Sequence, residues 1–73
     1  MKNDTITMKE IYAINIQVNE GGDTSLALTI DGVTNTIDCS DGQSRYYTNI
    51  RANNNIIITK GAGLDVTIYG KEA

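Results

Sequence analysis

Two Asp-Gly dipeptides, Asp31-Gly32 and Asp41-Gly42, limit most strongly what this chain can fold into. Asp-Gly between alternating apolar residues is the strongest short-range signal for a β-hairpin, because both residues tolerate the positive φ angles of a two-residue turn. Residues 25–52 therefore predict three antiparallel strands joined by two such turns.

The registers implied by the two turns agree on one apolar face. A turn at Asp31-Gly32 places Leu26 opposite Ile37, and a turn at Asp41-Gly42 places Ile37 opposite Tyr46. Residues directly opposite on an antiparallel pair share a face of the sheet. The predicted apolar face consists of Leu26, Leu28, Ile30, Val33, Ile37, Tyr46 and Ile50. An aspartate at Val33 or Ile37 is therefore expected to prevent folding.

The segment before this region is predicted to be another strand. Tyr12, Ile14, Ile16 and Val18 alternate with smaller or polar residues, which is the pattern of a strand with one buried face. Ile6 and Met8 share that parity, so the strand is expected to begin near Thr5. A helical start is the alternative, but the β-branched residues and asparagines favour a strand.

The last third of the chain predicts two more strands, at residues 56–59 and 64–69. A three-residue loop at Gly61 to Gly63, with a glycine in the left-handed region, would pair Ile58 with Val66. This register places the aliphatic side chains of both strands on one face.

The sequence thus predicts an all-β fold of about six short antiparallel strands, as a small sandwich or barrel built on the meander of residues 25–52. We expect residues 11–73 to form a single domain, with residues 1–10 as an N-terminal arm or the start of the first strand. A chain of 73 residues buries only about 60% of its unfolded surface. Self-association or docking on a larger protein is therefore expected to supply further burial.

Composition argues against most chemical functions. The chain has no histidine and a single cysteine, Cys39, which leaves no histidine general base and no intrachain disulfide. The Asp38 to Asp41 cluster lacks the spacing of a calcium loop and is expected to be a turn. We expect no catalytic residue, no cofactor and no metal, and hence not an enzyme.

Charge and hydropathy limit the partners. A net charge of −3 argues against nucleic acid, which needs clustered Lys and Arg. No run of 18 apolar residues and no signal sequence is visible, so neither membrane insertion nor secretion is expected and the predicted location is the cytoplasm.

Five residues are the candidates for interaction with another protein. Arg45, Tyr47 and Arg51 are predicted to share an outward face, as an exposed aromatic flanked by cations. The alternative is that Arg45 pairs with Asp38 across the hairpin. Ile57, in a run of three isoleucines, is expected either to be covered on both sides or to lie in an interface, with Tyr69 on the same side.

These features predict a non-enzymatic module for protein–protein assembly, present as a homo-oligomer. In composition and architecture, a short acidic chain of Ile, Thr, Asn and Gly strands resembles the small β-modules that decorate phage capsids or tails. That resemblance implies a place in a virion. The alternative is a small inhibitor that blocks a host enzyme or defence complex. A carbohydrate-binding module is a weaker third hypothesis, because tryptophan is absent.

Overall fold

The computed structural model describes residues 1–73, and its regular secondary structure consists of strands only. The strands are β1 (Thr5–Val18), β2 (Ser25–Ile30), β3 (Val33–Asp38), β4 (Arg45–Ile50), β5 (Ile56–Lys60) and β6 (Leu64–Glu72). They form one antiparallel sheet in the order β3-β2-β5-β1-β4, with β6 also paired to β1. The predicted all-β fold of six antiparallel strands is confirmed. The sheet curls into a half-barrel around the apolar core.

The long strand β1 organises the sheet because three other strands pair with it. On one edge it pairs first with β5, over Thr5–Met8, and then with β4, over Ile11–Ile16. On the other edge it pairs with β6 along most of its length. A straight strand of 14 residues would be about 46 Å long. The whole molecule extends only 33 Å, so β1 must bend.

Two β-bulges bend β1 and change which of its side chains are buried. The register with β6 shifts between Met8 and Glu10 and again between Ile11 and Ala13. At each shift two residues of β1 oppose one residue of β6, and both side chains stay on the outer face. Met8, Ile11, Ile14 and Ile16 are therefore the buried residues. The prediction that Tyr12 is buried is wrong, because the second bulge turns it outward.

The β2–β3 hairpin has the predicted register. Ile30 lies opposite Val33 and Leu26 opposite Ile37, and Asp31 and Gly32 both have positive φ angles, 50° and 85°. The Asp31 carboxylate also accepts hydrogen bonds from the backbone N–H groups of Asn53, at 2.8 Å, and Asn54, at 2.7 Å. The hairpin turn is therefore fixed to the loop between β4 and β5.

These backbone hydrogen bonds predict a pH-dependent contribution from Asp31. The N–H group of Asn53, and after it that of Asn54, lowers the pKa of Asp31 below its ordinary value. A carboxyl with a depressed pKa in the folded state stabilises the fold above its unfolded pKa, about 3.9. That contribution is lost as the pH falls through the folded pKa. Asp31→Asn, which keeps the tolerance for positive φ, is expected to flatten the loss of stability below about pH 4.

The measurement is the free energy of urea unfolding between about pH 2 and pH 6. Asp4→Asn is the control, because the only partner of Asp4 is Lys60, at 3.6 Å, and its side chain is 80% exposed. An unchanged acid dependence in Asp31→Asn would show that the carboxylate does not hold the Asn53–Asn54 backbone.

The third and fourth strands do not pair with each other, so the predicted register of Ile37 opposite Tyr46 is wrong. β3 pairs only with β2, and β4 pairs with β1. The predicted Asp41-Gly42 hairpin turn is replaced by a turn one residue earlier, centred on Ser40 and Asp41, in which the Gly42 N–H donates to the Cys39 carbonyl at 3.0 Å. Asp38 and Asp41 then each accept a backbone N–H two residues further on. As a result of these turns the chain leaves the edge of β3, and β4 lies beside β1.

This rearrangement exposes two residues that were predicted to be core. Tyr46 lies opposite Asn15 on the outer face of the sheet and is 63% exposed. Val33 is 65% exposed, because no strand covers the end of the hairpin. Leu26 alone of the predicted apolar face is fully buried.

The loop at Gly61 to Gly63 also differs from its prediction. β5 pairs with β1 and β2, and β6 pairs with β1, so Ile58 does not lie opposite Val66. Neither glycine has a positive φ. A Cβ at Gly61 would lie 2.2 Å from the Asp23 carbonyl oxygen, and a Cβ at Gly63 would lie 2.4 Å from that of Gly22. Glycine is required here because two loops pack backbone against backbone.

The core lies inside the curl of the sheet. Its fully or nearly fully buried side chains are Met8, Ile11, Ile14, Ile16, Leu26, Cys39, Ile56, Ile58, Leu64 and Val66. Cys39 is 0% exposed, so its thiol packs as a small apolar group at the end of β3. The accessible surface is 4455 Å², close to the ~4,400 Å² expected for a folded chain of this mass. The structure contains no helix that could cross a membrane.

Candidate functional site: an open groove between β3 and β4

An apolar groove of about 330 Å³ lies where the half-barrel fails to close. One wall comes from the β2–β3 hairpin and the other from β4. The lining residues are Leu28, Ile30, Ile37, Tyr47, Thr48 and Ile50. The aliphatic side chains of the groove were predicted to lie in the core. They are instead only partly buried and pack against the side of the core. The groove is therefore an extension of the core that reaches solvent.

The registers of the strands explain why these side chains face the groove. Leu28 and Ile30 share the inner face of β2 with the buried Leu26, two and four residues away. On the other wall, Tyr47 lies opposite the buried Ile14. Asn49 has a positive φ of 56°, which breaks the alternation of β4. Ile50 therefore also faces inward, opposite Ile11, although it is three residues from Tyr47.

Both strands that border the groove have a free edge. β3 has β2 as its only partner and β4 has β1. In a two-residue hairpin the residues flanking the turn exchange both hydrogen bonds, and the residues next to them point their backbone groups away. The N–H and C=O groups of Thr34 and Thr36 therefore lie on the open edge of β3. Such an edge is a template for another strand.

The two walls of the groove differ in charge. Residues 20–44, which include the hairpin, carry five acidic side chains and no basic one. Residues 45–60, which include β4, carry three basic side chains and no acidic one. Asp31 and Asp38 lie at the two ends of β3, and Arg45 and Arg51 lie at the two ends of β4. The β3 edge is thus acidic, and β4 is flanked by two arginines, each of which also binds one carboxylate of its own chain, Asp41 for Arg45 and Glu10 for Arg51.

Arg45 fixes the connection that separates the two walls. Its guanidinium donates to the Asp41 carboxylate at 2.9 Å and to the Gln43 carbonyl at 2.7 Å, and it reaches the Asp38 carbonyl at 3.3 Å. The hydrogen bond between the side chains of Arg45 and Asp41 raises the pKa of Arg45 and lowers the pKa of Asp41. The charged partner of Arg45 is therefore Asp41, and the predicted pairing with the Asp38 carboxylate does not form.

Arg45, Tyr47 and Arg51 do not form the outward-facing group that the sequence predicted. Arg45 and Tyr47 lie opposite the buried residues Ile16 and Ile14, so they share the inner face of β4. Arg51 follows the irregular Asn49 and contacts Glu10 on the far side of the sheet. The strand is irregular where the sequence pattern assumed strict alternation. Tyr47, 39% exposed, belongs to the groove.

Ile57 lies on the outer face of the sheet, between Thr7 of β1 and Thr29 of β2. It is half-buried, and no second layer of the chain covers this face. Coverage on both sides therefore does not occur within one chain, and a role in an interface stays a prediction. Tyr69 also faces outward, on β6 at the other edge of β1, so it is not next to Ile57.

Three tyrosines share the outer face around β1, which we call the tyrosine face: Tyr12, Tyr46 and Tyr69. The Tyr12 hydroxyl donates to Glu10 Oε1 at 3.1 Å, and Arg51 binds the other oxygen of the same carboxylate. The hydrogen bond to Glu10 raises the pKa of Tyr12. Sequence reasoning missed this surface because it depends on the bulge at Tyr12 and on the pairing of β4 with β1.

A second, more polar pocket of about 290 Å³ lies beside the N-terminal residues. The amino group of Met1 donates to the Val66 carbonyl at its side, so the arm is held against β6. Nowhere in residues 1–73 do three His, Cys, Asp or Glu side chains converge as metal ligands would. Asp38 and Asp41 are used in turns.

No protein-family model, no curated protein and no solved structure matches this sequence. The groove, its two free edges and their charge are therefore the features of this chain that bear on its function.

Proposed function

We propose that the protein is a non-enzymatic module for protein–protein assembly, and that the groove between β3 and β4 is where its partner binds. The observation that supports this most strongly is the coincidence of an apolar groove with two unpaired strand edges. A strand bound there would satisfy the open backbone groups of Thr34 or Thr36 and cover the groove. This mode of recognition combines main-chain hydrogen bonds with side-chain pockets.

The distribution of tyrosine supports the same proposal. All four tyrosines are exposed, and none contributes to the core. Tyrosine is over-represented at the centres of interfaces, because it offers a large contact area with few rotamers to immobilise. Tyr47 lies beside the aliphatic side chains of the groove, where a partner bound in the groove would contact it.

Two biological roles fit this surface. A structural component, such as an accessory protein of a virion, would bind copies of itself or a repeating lattice. An inhibitor would use the same groove to bind one host complex tightly. The first role is the proposal, because the open edges and their opposite charges suit repeated pairing.

The test compares two adjacent tyrosines on opposite faces of β4. Tyr47→Glu places a charge in the groove, which a bound partner would have to desolvate. Tyr46→Glu adds the same charge on the outer face, where it stays in water. We expect Tyr47→Glu to raise the dissociation constant of self-association at least about tenfold and Tyr46→Glu to change it less than about threefold. Light scattering behind size exclusion, over a concentration series, provides the measurement.

Two further results would change the proposal. Equal weakening by both substitutions would remove the groove as the binding site. A wild-type chain that stays a 7.9 kDa monomer at every concentration would contradict self-assembly and favour the inhibitor. Ile57→Lys serves as a separate control, since weakened association in that variant alone would move the interface to the outer face of β5.

A further inference from the structure

We propose that the partner in the groove is a second copy of this chain, and that the β3 edge of one copy pairs with the β4 edge of the next. This inference rests on the proposed function and specifies its partner and geometry. Two β3 edges, or two β4 edges, would not pair with each other. Each interface would join the β3 edge of one copy to the β4 edge of another.

Charge favours unlike edges over like ones. Two β3 edges brought together antiparallel would place Asp31 of each copy near Asp38 of the other. Both pairs carry like charges, which destabilise directly opposed positions. Against β4, the same two aspartates meet a strand that begins at Arg45 and is followed by Arg51. Both arginines already bind a carboxylate of their own chain, Arg45 that of Asp41 and Arg51 that of Glu10. Arg51 is the more accessible of the two, because its side chain is 66% exposed whereas that of Arg45 is 24% exposed.

The apolar side chains of the two strands also favour this pairing. The inner face of β3 offers Ile37 and Val33, and Val33 is 65% exposed in the single chain. The inner face of β4 offers Tyr47 and Ile50. A strand of one copy laid along the other would cover Val33, which nothing covers within one chain. The groove would then be closed by residues of the same types as those that line it.

Pairing of unlike edges has a consequence for the assembly. Each copy uses its β3 edge on one side and its β4 edge on the other, so an open chain of copies keeps a free edge of each kind at its two ends. Such heterologous contacts generate a ring where the rotation closes and an open chain where it does not. Two copies related by a twofold axis would also satisfy all four edges, with the β3 edge of each copy paired to the β4 edge of the other.

The experiment blocks one edge at a time and then mixes the two variants. Thr36→Pro removes an N–H group from the open edge of β3, a position where proline is tolerated in an edge strand. Tyr47→Glu blocks β4. We expect each variant alone to be a monomer of 7.9 kDa, with at least about a tenfold loss of association. An equimolar mixture should give a complex of twice that mass and no larger species, because one intact edge of each kind remains.

Other outcomes overturn the inference and are distinguishable from failure of the proposed function. A monomeric Thr36→Pro beside an unimpaired Tyr47→Glu would indicate β3 paired with β3. Wild-type association that neither variant weakens would place assembly on another surface, and a monomeric wild type would refute the assembly proposal itself. Circular dichroism checks that each variant folds, and Thr34→Pro and Arg51→Glu replace any variant that does not.

Discussion

Gly70→Ala is expected to remove about 3 kcal/mol of folding free energy, the upper end of the range for an overpacked site. Gly70 lies opposite Ile11, beside the first bulge of β1. An added Cβ would lie 2.2 Å from the Glu10 carbonyl oxygen and 3.0 Å from the Ile11 Cα. Both neighbours are backbone atoms, so the strands would have to separate. A single core of this size supplies only about 3–5 kcal/mol, so most of the stability would be lost.

Urea unfolding followed by circular dichroism measures this loss. Gly42→Ala is the matched control: a Cβ there meets no atom within 4 Å, although the φ of 78° leaves a backbone cost of roughly 1–2 kcal/mol. If Gly70→Ala were as stable as the wild type, β6 would not approach the bulge of β1 as closely as described.

Leu26→Asp is expected to abolish folding, whereas Val33→Asp is expected to change stability by less than about 0.5 kcal/mol. Leu26 is 0% exposed, and an unpaired charge there would lie among the aliphatic side chains of the core. Val33 is 65% exposed at the open end of the hairpin. The strand pattern placed both residues on one apolar face and predicted that Val33→Asp would prevent folding, so the two substitutions together distinguish the observed structure from that prediction.

The far-ultraviolet circular dichroism and the dispersion of amide proton signals report whether each variant folds. An unfolded Val33→Asp protein would mean that the end of the hairpin is covered, contrary to the open half-barrel. A folded Leu26→Asp protein would contradict the inner face assigned to β2.

The sequence predicted local structure well and long-range pairing poorly, for a physical reason. The register of the β2–β3 hairpin depends on Asp31-Gly32 and its immediate neighbours, so the turn chemistry determines it. The pattern around Asp41-Gly42 is equally compatible with a hairpin. What decides against it is the competing partner β1, which pairs with β4 on the edge opposite β6, and alternation within β4 carries no information about that choice.

The groove and the faces of the tyrosines could not be predicted from the sequence, because the strands have three irregularities. The bulges of β1 turn Tyr12 outward, and the positive φ of Asn49 returns Ile50 to the inner face. Each breaks the period of two on which the face assignments depended. Tyr47 was predicted to be an interaction residue from its residue type and its strand. It faces the groove, however, and not the outer face of the sheet as the prediction assumed. Asn49 in β4 was the one visible signal of such an irregularity, because asparagine tolerates a positive φ better than most residues do.

Hydrogen exchange at the edge of β3 reports whether this edge is open within one chain and is closed by assembly. In dilute protein the amides of Thr34 and Thr36 should exchange much faster than those of Asn35 and Ile37, which bond to β2. At concentrations where the protein associates, Thr34 and Thr36 should become protected. Slow exchange of all four amides at every concentration would mean that β3 is paired inside the chain. Rapid exchange of Thr34 and Thr36 in the associated protein would contradict assembly through this edge.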